Sequence, residues 1–199
     1  MISRRGRSAD LLALGLGNPG EEYARSRHNV GAEVIEELAR RHGARLRKGR
    51  TRAFTAEVTI EGRQLALAIP TTYVNLSGDA ASGLVRRYGV DDPRRLVVVH
   101  DELDLAPGVV RVKEGGGLAG HNGLRSVTQH LKTQDYLRVR IGVGKPPSKE
   151  RGAEHVLHRI PKAERALLDV AVQEAADAVE SILTNGTAAT MNHVNGRER

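Results

Sequence analysis

The sequence holds no cysteine, no tryptophan and a single phenylalanine among 199 residues. Without thiols there is no disulfide framework, no thiolate metal site and no cysteine nucleophile, so any nucleophile must be oxygen. A chain free of cysteine suits a reducing compartment, and a cytoplasmic location is expected. With only four tyrosines beside the phenylalanine, base stacking cannot be a widespread binding device, and a nucleic-acid partner would be held through its phosphates. Long apolar runs are missing too. The run from Leu11 to Leu16 breaks at Gly17-Asn18-Pro19-Gly20, far short of the ~18 residues of a membrane span. Residues 1–10 carry Arg4, Arg5 and Arg7 but lack the apolar segment and cleavage site of a secretory signal, and are read as a flexible basic leader.

What is present is a basic, soluble-looking chain of about one domain's length, able to bury about 70% of its unfolded surface. The formal net charge is +7, unevenly spread. Residues 40–52 hold seven cations (Arg40, Arg41, Arg45, Arg47, Lys48, Arg50 and Arg52) and no acid. Residues 111–151 add nine cations against Glu114, Asp135 and Glu150, whereas residues 153–180 carry six acids against three cations. One side should be electropositive, which fits a solvated surface or a polyanion partner.

The pattern along the chain predicts alternating strands and helices. Leu11 to Leu16 reads as a buried strand, and Val30 to Arg41 as a helix with Val34, Ile35, Leu38 and Ala39 facing the core. Phe54 to Ile60 and Gln64 to Ile69 flank Glu61-Gly62-Arg63 as a hairpin. Ser77 to Tyr88 turns helical, and Leu96-Val97-Val98-Val99 is a run typical of a strand buried on both faces, with His100-Asp101 at its end. Val109 to Lys113 and Leu137 to Val143 read as further strands around the glycine-rich stretch 115–123 and a helix through Leu131. Ala166 to Leu183 keeps an apolar stripe of Leu167, Val170, Ala171, Ala175, Ala178, Val179 and Ile182, closed by Gly186. The expected architecture is a single α/β domain over residues 11–195, a central mixed, mostly parallel twisted sheet surrounded by helices, with 196–199 as a tail.

Two motifs mislead. Gly15-Leu-Gly17-Asn-Pro-Gly20 matches the dinucleotide fingerprint literally, but polar Glu21 to Asn29 follows instead of a helix and no acid ends a next strand. His155 and His158 have metal-ligand spacing but no third ligand in the local sequence. No cofactor and no metal is expected. Without a G-x-S-x-G elbow or S-x-x-K, Ser26, Ser77 and Ser126 read as capping or turn residues.

Polar residues remain at the ends of elements: Asn18, Arg27-His28-Asn29, Asn75-Leu-Ser77-Gly78, His100-Asp101-Glu-Leu-Asp104 and Gly120-His121-Asn122-Gly123. The crevice outside the carboxyl ends of α/β strands gathers such groups into one pocket. A histidine near neutral pKa with an aspartate to hold its tautomer can draw a proton from water, and carboxamides can donate to an oxyanion without adding charge. This points to hydrolysis of an acyl compound by direct water attack.

The motifs G-L-G-N-P-G at 15–20, Y-x-x-x-R-H-N-V-G at 23–31, N-L-S-G at 75–78, H-D-E-L-D-L at 100–105 and G-H-N-G-L at 120–124 closely resemble, in order and spacing, those of the bacterial-type peptidyl-tRNA hydrolases. The resemblance covers Leu11 to about Asn195. It implies an enzyme that cleaves the ester between a stalled peptide, or an N-blocked aminoacyl group, and the 3′ ribose of tRNA, freeing the tRNA for reuse. It implies His28 as catalytic base and Asp101 as its orienting partner. Asn18, Asn75 and Asn122 match substrate-binding asparagines, Tyr23 a cleft-wall residue, and Lys113 with Arg140 the pair that holds a tRNA phosphate. The expected partner is tRNA, with no membrane, and the expected state a monomer. Tyr73-Val74-Asn75 departs from the usual phenylalanine-methionine-asparagine, and Leu118-Ala119 stand where glycine or a polar residue is common. An RNA-binding module without catalysis and an unrelated small-ester hydrolase are the alternatives.

Overall fold

The computed structural model describes residues 8–197. The arginines of the leader and the last two residues of the tail lie outside the described residues. Ala9 and Asp10, assigned to the leader from sequence, are tied down: Ala9 is buried and donates to the Tyr88 carbonyl at 3.1 Å, and Asp10 donates to Gln64 at 2.8 Å.

In chain order the elements are β1 (Leu11–Gly15), α1 (Val30–Arg41), β2 (Arg47–Lys48), β3 (Ala53–Ile60), β4 (Arg63–Pro70), α2 (Ser77–Arg87), β5 (Leu96–Glu102), β6 (Val110–Glu114), α3 (Asn122–Leu131), β7 (Leu137–Gly142), α4 (Gly152–Leu157), α5 (Lys162–Asn185) and α6 (Thr187–Asn195). One seven-stranded sheet runs in the order β2-β3-β4-β1-β5-β7-β6. Its four central strands β4, β1, β5 and β7 are mutually parallel, while β2 and β3 on one edge and β6 on the other pair antiparallel. The parallel character is thus confined to the centre, where every residue of β1 and β5 is buried. Apolar cores lie on both faces. Helices α1, α5 and α6 cover one, with Val97, Val99, Val139 and Ile141 beneath them. Helices α2 and α3 cover the other, with Leu12, Leu14, Val98 and Tyr136.

The stripe on α5 is rotated from the sequence reading. Ala171, Ala175, Ala178, Val179 and Ile182 are buried as expected, but Leu167 and Val170 are 51% and 53% exposed, and Leu168, Val172, Ala176 and Leu183 turn inward in their place. Alanines populate several faces of this helix, so its apolar arc is broad and its phase is poorly marked by sequence. Short α4, the two-residue β2 and α6 have no periodic signal of their own and were not anticipated.

Two glycines bring the site together by close backbone approach. A Cβ at Gly31, in the first turn of α1, would stand 2.2 Å from the Val99 carbonyl oxygen of β5. A Cβ at Gly78 would stand 2.1 Å from the Ser126 carbonyl of α3. The first contact seats the start of α1 on the ends of β1 and β5; the second clamps α2 to α3. Gly31→Ala is expected to force these elements apart at a cost of about 2 kcal/mol, lowering the melting temperature by about 4–8 °C in a domain of this size. A thermal melt within 1 °C of wild type, as a ~0.3 kcal/mol effect would give, would contradict the account.

Candidate active site

His28 sits in the 3₁₀ turn Arg27–Asn29 that leads into α1, and Asp101 near the carboxyl end of β5. Neighbours in that turn hold it in place. Arg27 is buried and forms a bidentate pair with Glu164 at 2.7 and 2.8 Å, and also donates to the His155 carbonyl at 3.0 Å. Asn29 accepts from Asn18 N at 2.8 Å and donates to Asn18 O at 2.9 Å, tying the turn to the loop after β1.

His28 Nδ1 lies 2.8 Å from Asp101 Oδ1. Asp101 is buried and carries no donor when ionised, so His28 Nδ1–H donates and Nε2 is left as the basic nitrogen. Burial alone would pull the His28 pKa down, but the carboxylate and its hydrogen bond outweigh it and the net shift from 6.5 is upward. Burial works against the Asp101 charge in turn, yet the two imidazoles facing it, His28 and His121, drive its pKa well below the usual range.

His121 was part of the sequence motif but was assigned no role, and the structure gives it one. Its Nε2 donates to the same Asp101 Oδ1 at 2.9 Å. Its Nδ1 accepts from Gly123 N at 3.1 Å and Leu124 N at 3.3 Å, making it the N-cap of α3. The only sequence signal was a histidine directly before a helix start. Behind it, fully buried His100 donates from Nδ1 to the Asp101 carbonyl at 2.7 Å and packs edge-on against the His121 ring at 5.0 Å. Burial first, then His121, hold His100 neutral with a pKa of about 3.

The cleft over this cluster has a volume of about 430 Å³ and is lined by Asn18, Tyr23, His28, Asn75, Asp101 and Asn122, with Tyr73, Leu103 and Leu157 among its walls. Asn18 Oδ1 accepts from Val74 N at 2.8 Å, so its amide NH₂ is the end left to donate. Asn75 and Asn122 are exposed at the ends of α2 and α3. Tyr23 packs edge-on against Tyr73 with centroids 6.3 Å apart. The structure therefore brings six of the eight sequence-selected residues to one cavity.

Lys113 and Arg140 stand apart from it. Register places them as diagonal neighbours on one face of the β6–β7 ladder, with Arg138 opposite Lys113. Arg138 is buried and donates to the carbonyls of Gly117 and Gly116 at 2.6 and 2.7 Å, bracing the glycine-rich loop above the ladder. Arg140 reaches Glu102 Oε2, on the cleft wall, at 3.9 Å.

His28, Asp101 and His121 place one potential metal-ligand atom each within 4.8 Å of one another. Those atoms are already committed to hydrogen bonds among the three. His155 and His158 do not form a pair: His155 Nε2 lies 3.3 Å from the Val143 carbonyl and His158 faces Glu154 at 3.4 Å. The Gly15–Gly20 loop opens no helix; Ser77 makes a local bond to the Val74 carbonyl, whereas Ser126 accepts from Gly78 N and so ties α3 to α2.

Residues 12–199 match the family model for peptidyl-tRNA hydrolase. The chain belongs to the peptidyl-tRNA hydrolase family. It is 50% identical over 184 residues to the peptidyl-tRNA hydrolase of Rubrobacter xylanophilus, covering 92% of this chain and 99% of that one. It is 49% identical over 181 residues to that of Frankia alni, 91% of each chain. The crystal structure of the Acinetobacter baumannii peptidyl-tRNA hydrolase superposes with a TM-score of 0.90 at 39% identity, over 96% of this chain and 97% of that one. For a peptidyl-tRNA hydrolase the shared carboxylate oxygen is a tuning point, because each proton donor on Asp101 weakens its hold on the other. His121→Asn keeps a capping side chain but shortens it away from Asp101. It should raise the His28 pKa and move the acid limb of the kcat/KM profile to higher pH. An unmoved limb would mean that His121 only caps α3.

Proposed function

We propose that this chain hydrolyses the ester linking a peptide or N-blocked amino acid to the 3′ end of tRNA, with His28 as general base and Asp101 as the group that orients it. The observation that carries this is the 2.8 Å His28–Asp101 bond at the floor of a cleft ringed by three asparagines. Family membership supplies the substrate class. In this reading His28 Nε2 takes a proton from a water molecule as its oxygen attacks the ester carbonyl carbon. Carboxamide N–H groups, Asn18 foremost, stabilise the oxyanion. On collapse the C–O bond to ribose breaks and the imidazolium returns its proton to the leaving ribose oxygen. Water and ester are thereby converted to acid and alcohol without a covalent enzyme intermediate. Asn75 and Asn122 hold the scissile end, Tyr23 walls the cleft, and Lys113 with Arg140 contact a tRNA phosphate.

No helix among the described residues is long and apolar enough to cross a membrane. The unit proposed to act is the domain of residues 11–195, as a cytoplasmic monomer. A non-catalytic RNA-binding role would leave the cost of burying the Asp101 charge, and the two imidazoles that offset it, without use.

Release of labelled amino acid from N-acetyl-lysyl-tRNA in EDTA tests the base: His28→Ala should lose ~10²–10⁴ in kcat, with tRNA binding retained. A rate within a few-fold of wild type, well under the ~10²-fold expected of a lost general base, would refute the mechanism. Loss of the base on protonation predicts falling activity as pH drops through the His28 pKa, which lies above 6.5. Asp101→Asn removes the carboxylate charge, the larger of the two upward influences, and leaves burial, so the acid limb should move to lower pH as the plateau rate falls. For the phosphate contacts, Lys113→Ala should raise KM with kcat unchanged and reduce the salt slope of tRNA binding by about one. An unaltered slope would remove Lys113 from the interface.

A further inference from the structure

Arg27 directly precedes His28, yet it does not line the cleft. Its buried guanidinium is spent on two other segments: Nε and Nη2 donate to the two carboxylate oxygens of Glu164, in the first turn of α5, and Nη1 donates to the His155 carbonyl of α4. A planar fork fixes direction as well as distance, so the bidentate grip on Glu164 aims Nη1 at α4. The next residue of α5 makes the converse pair, Arg165 holding Glu33 of α1 at 3.1 and 2.7 Å. The two pairs are similarly buried and join the same two parts of the chain. Of the two, it is the Arg27 pair that also reaches α4.

Helix α4 depends on such a link. It has six residues, too few to keep helical form alone, and none of them is buried. Even so, Gly152, Ala153, Val156 and Leu157 make one wall of the cleft. Among the described residues, its polar ties to the rest of the chain are the 3.0 Å Arg27 bond, a 3.3 Å bond between His155 Nε2 and the Val143 carbonyl, and the bridge from Ser26 to Arg159 just past its end. The first of these is charge-assisted and the strongest. His28, by contrast, has supports that do not involve Arg27: its bond to Asp101, the Asn29–Asn18 bonds that follow it, and the seat of Gly31 on the Val99 carbonyl. The part of the site that relies most on Arg27 is therefore the α4 wall.

We propose that Arg27 is a positioning residue that sets the α4 wall of the cleft at a fixed distance from the turn carrying His28. Its contribution is to holding the acyl end of the substrate, not to proton transfer, and Glu164 contributes by orienting the guanidinium. The inference rests on the cleft being the ester-hydrolysing site.

Arg27→Lys tests it, because lysine keeps the charge and a bond to Glu164 but cannot fork to α4 as well. With N-acetyl-lysyl-tRNA the variant should raise KM about tenfold, the scale of one charge-assisted hydrogen bond, and leave kcat within about twofold, with the acid limb of the pH profile unmoved. In the enzyme without substrate, amide hydrogen exchange across residues 152–157 should be about tenfold faster. Glu164→Gln keeps the side-chain shape and should move both readouts in the same direction by less; it carries the test if Arg27→Lys does not fold. Glu33→Gln breaks the companion pair and should leave both readouts at the wild-type values. A lower kcat at unchanged KM would make Arg27 a support of the base and overturn the proposal. So would unchanged KM and exchange beside a lower melting temperature, which would make it a brace of the fold, or an equal response in Glu33→Gln, which would assign the effect to the junction of α1 with α5. Wild type inactive on this substrate would instead overturn the reading of the cleft and the role in substrate hold with it, an outcome distinct from an active enzyme whose Arg27 and Glu164 variants are indifferent.

Discussion

A carboxylate buried at the end of a β-strand is costly unless donors converge on it, and Asp101 holds its charge because two imidazole N–H groups meet on one of its oxygens. Much of the surrounding construction serves that junction. Asp101 reaches it from β5, His28 from the turn before α1, and His121 from the cap of α3, so three segments far apart in sequence must be fixed to within a hydrogen bond. The α1 side is fixed by the absence of a side chain at Gly31, which lets the helix rest on the Val99 carbonyl, and by Arg27, whose guanidinium is spent on Glu164. The α3 side is fixed by Gly78 against Ser126 and by Arg138, which carries the loop before His121 on its two donated bonds. Neutral His100 closes the cluster from behind, presenting a ring rather than a second positive charge to His121.

Much of this was legible in the sequence, for identifiable reasons. The β-branched run Val97-Val98-Val99 admits little but a central strand, and it is buried on both faces. The spacing of Val34, Ile35 and Leu38 sets the phase of α1, and all three are buried. Polar residues at the ends of such elements are conspicuous, which is why His28, Asp101 and the asparagines could be singled out. Other features leave no local trace. The alanine-rich α5 disguises its buried arc, so Leu167 and Val170 were placed inside when they face out. The role of His121 depends on Asp101, twenty residues away, and that of Asn29 on Asn18 across a turn. Lys113 and Arg140 become neighbours only through the antiparallel register of β6 with β7.

The same topology explains why a site can form at the carboxyl ends of the central strands. Strand β1 lies between β4 and β5, reached through α1 on one face and α2 on the other, so the chain leaves its carboxyl end open as a crevice. The loop after β1 fills that opening with Asn18, which is held on three sides, by both halves of the Asn29 carboxamide and by Val74 N. A rigid carboxamide there can donate to charge that develops in a reaction without rearranging, which is the condition under which such donors accelerate chemistry. An imidazole, a buried carboxylate and this fixed amide thus converge on a single cleft.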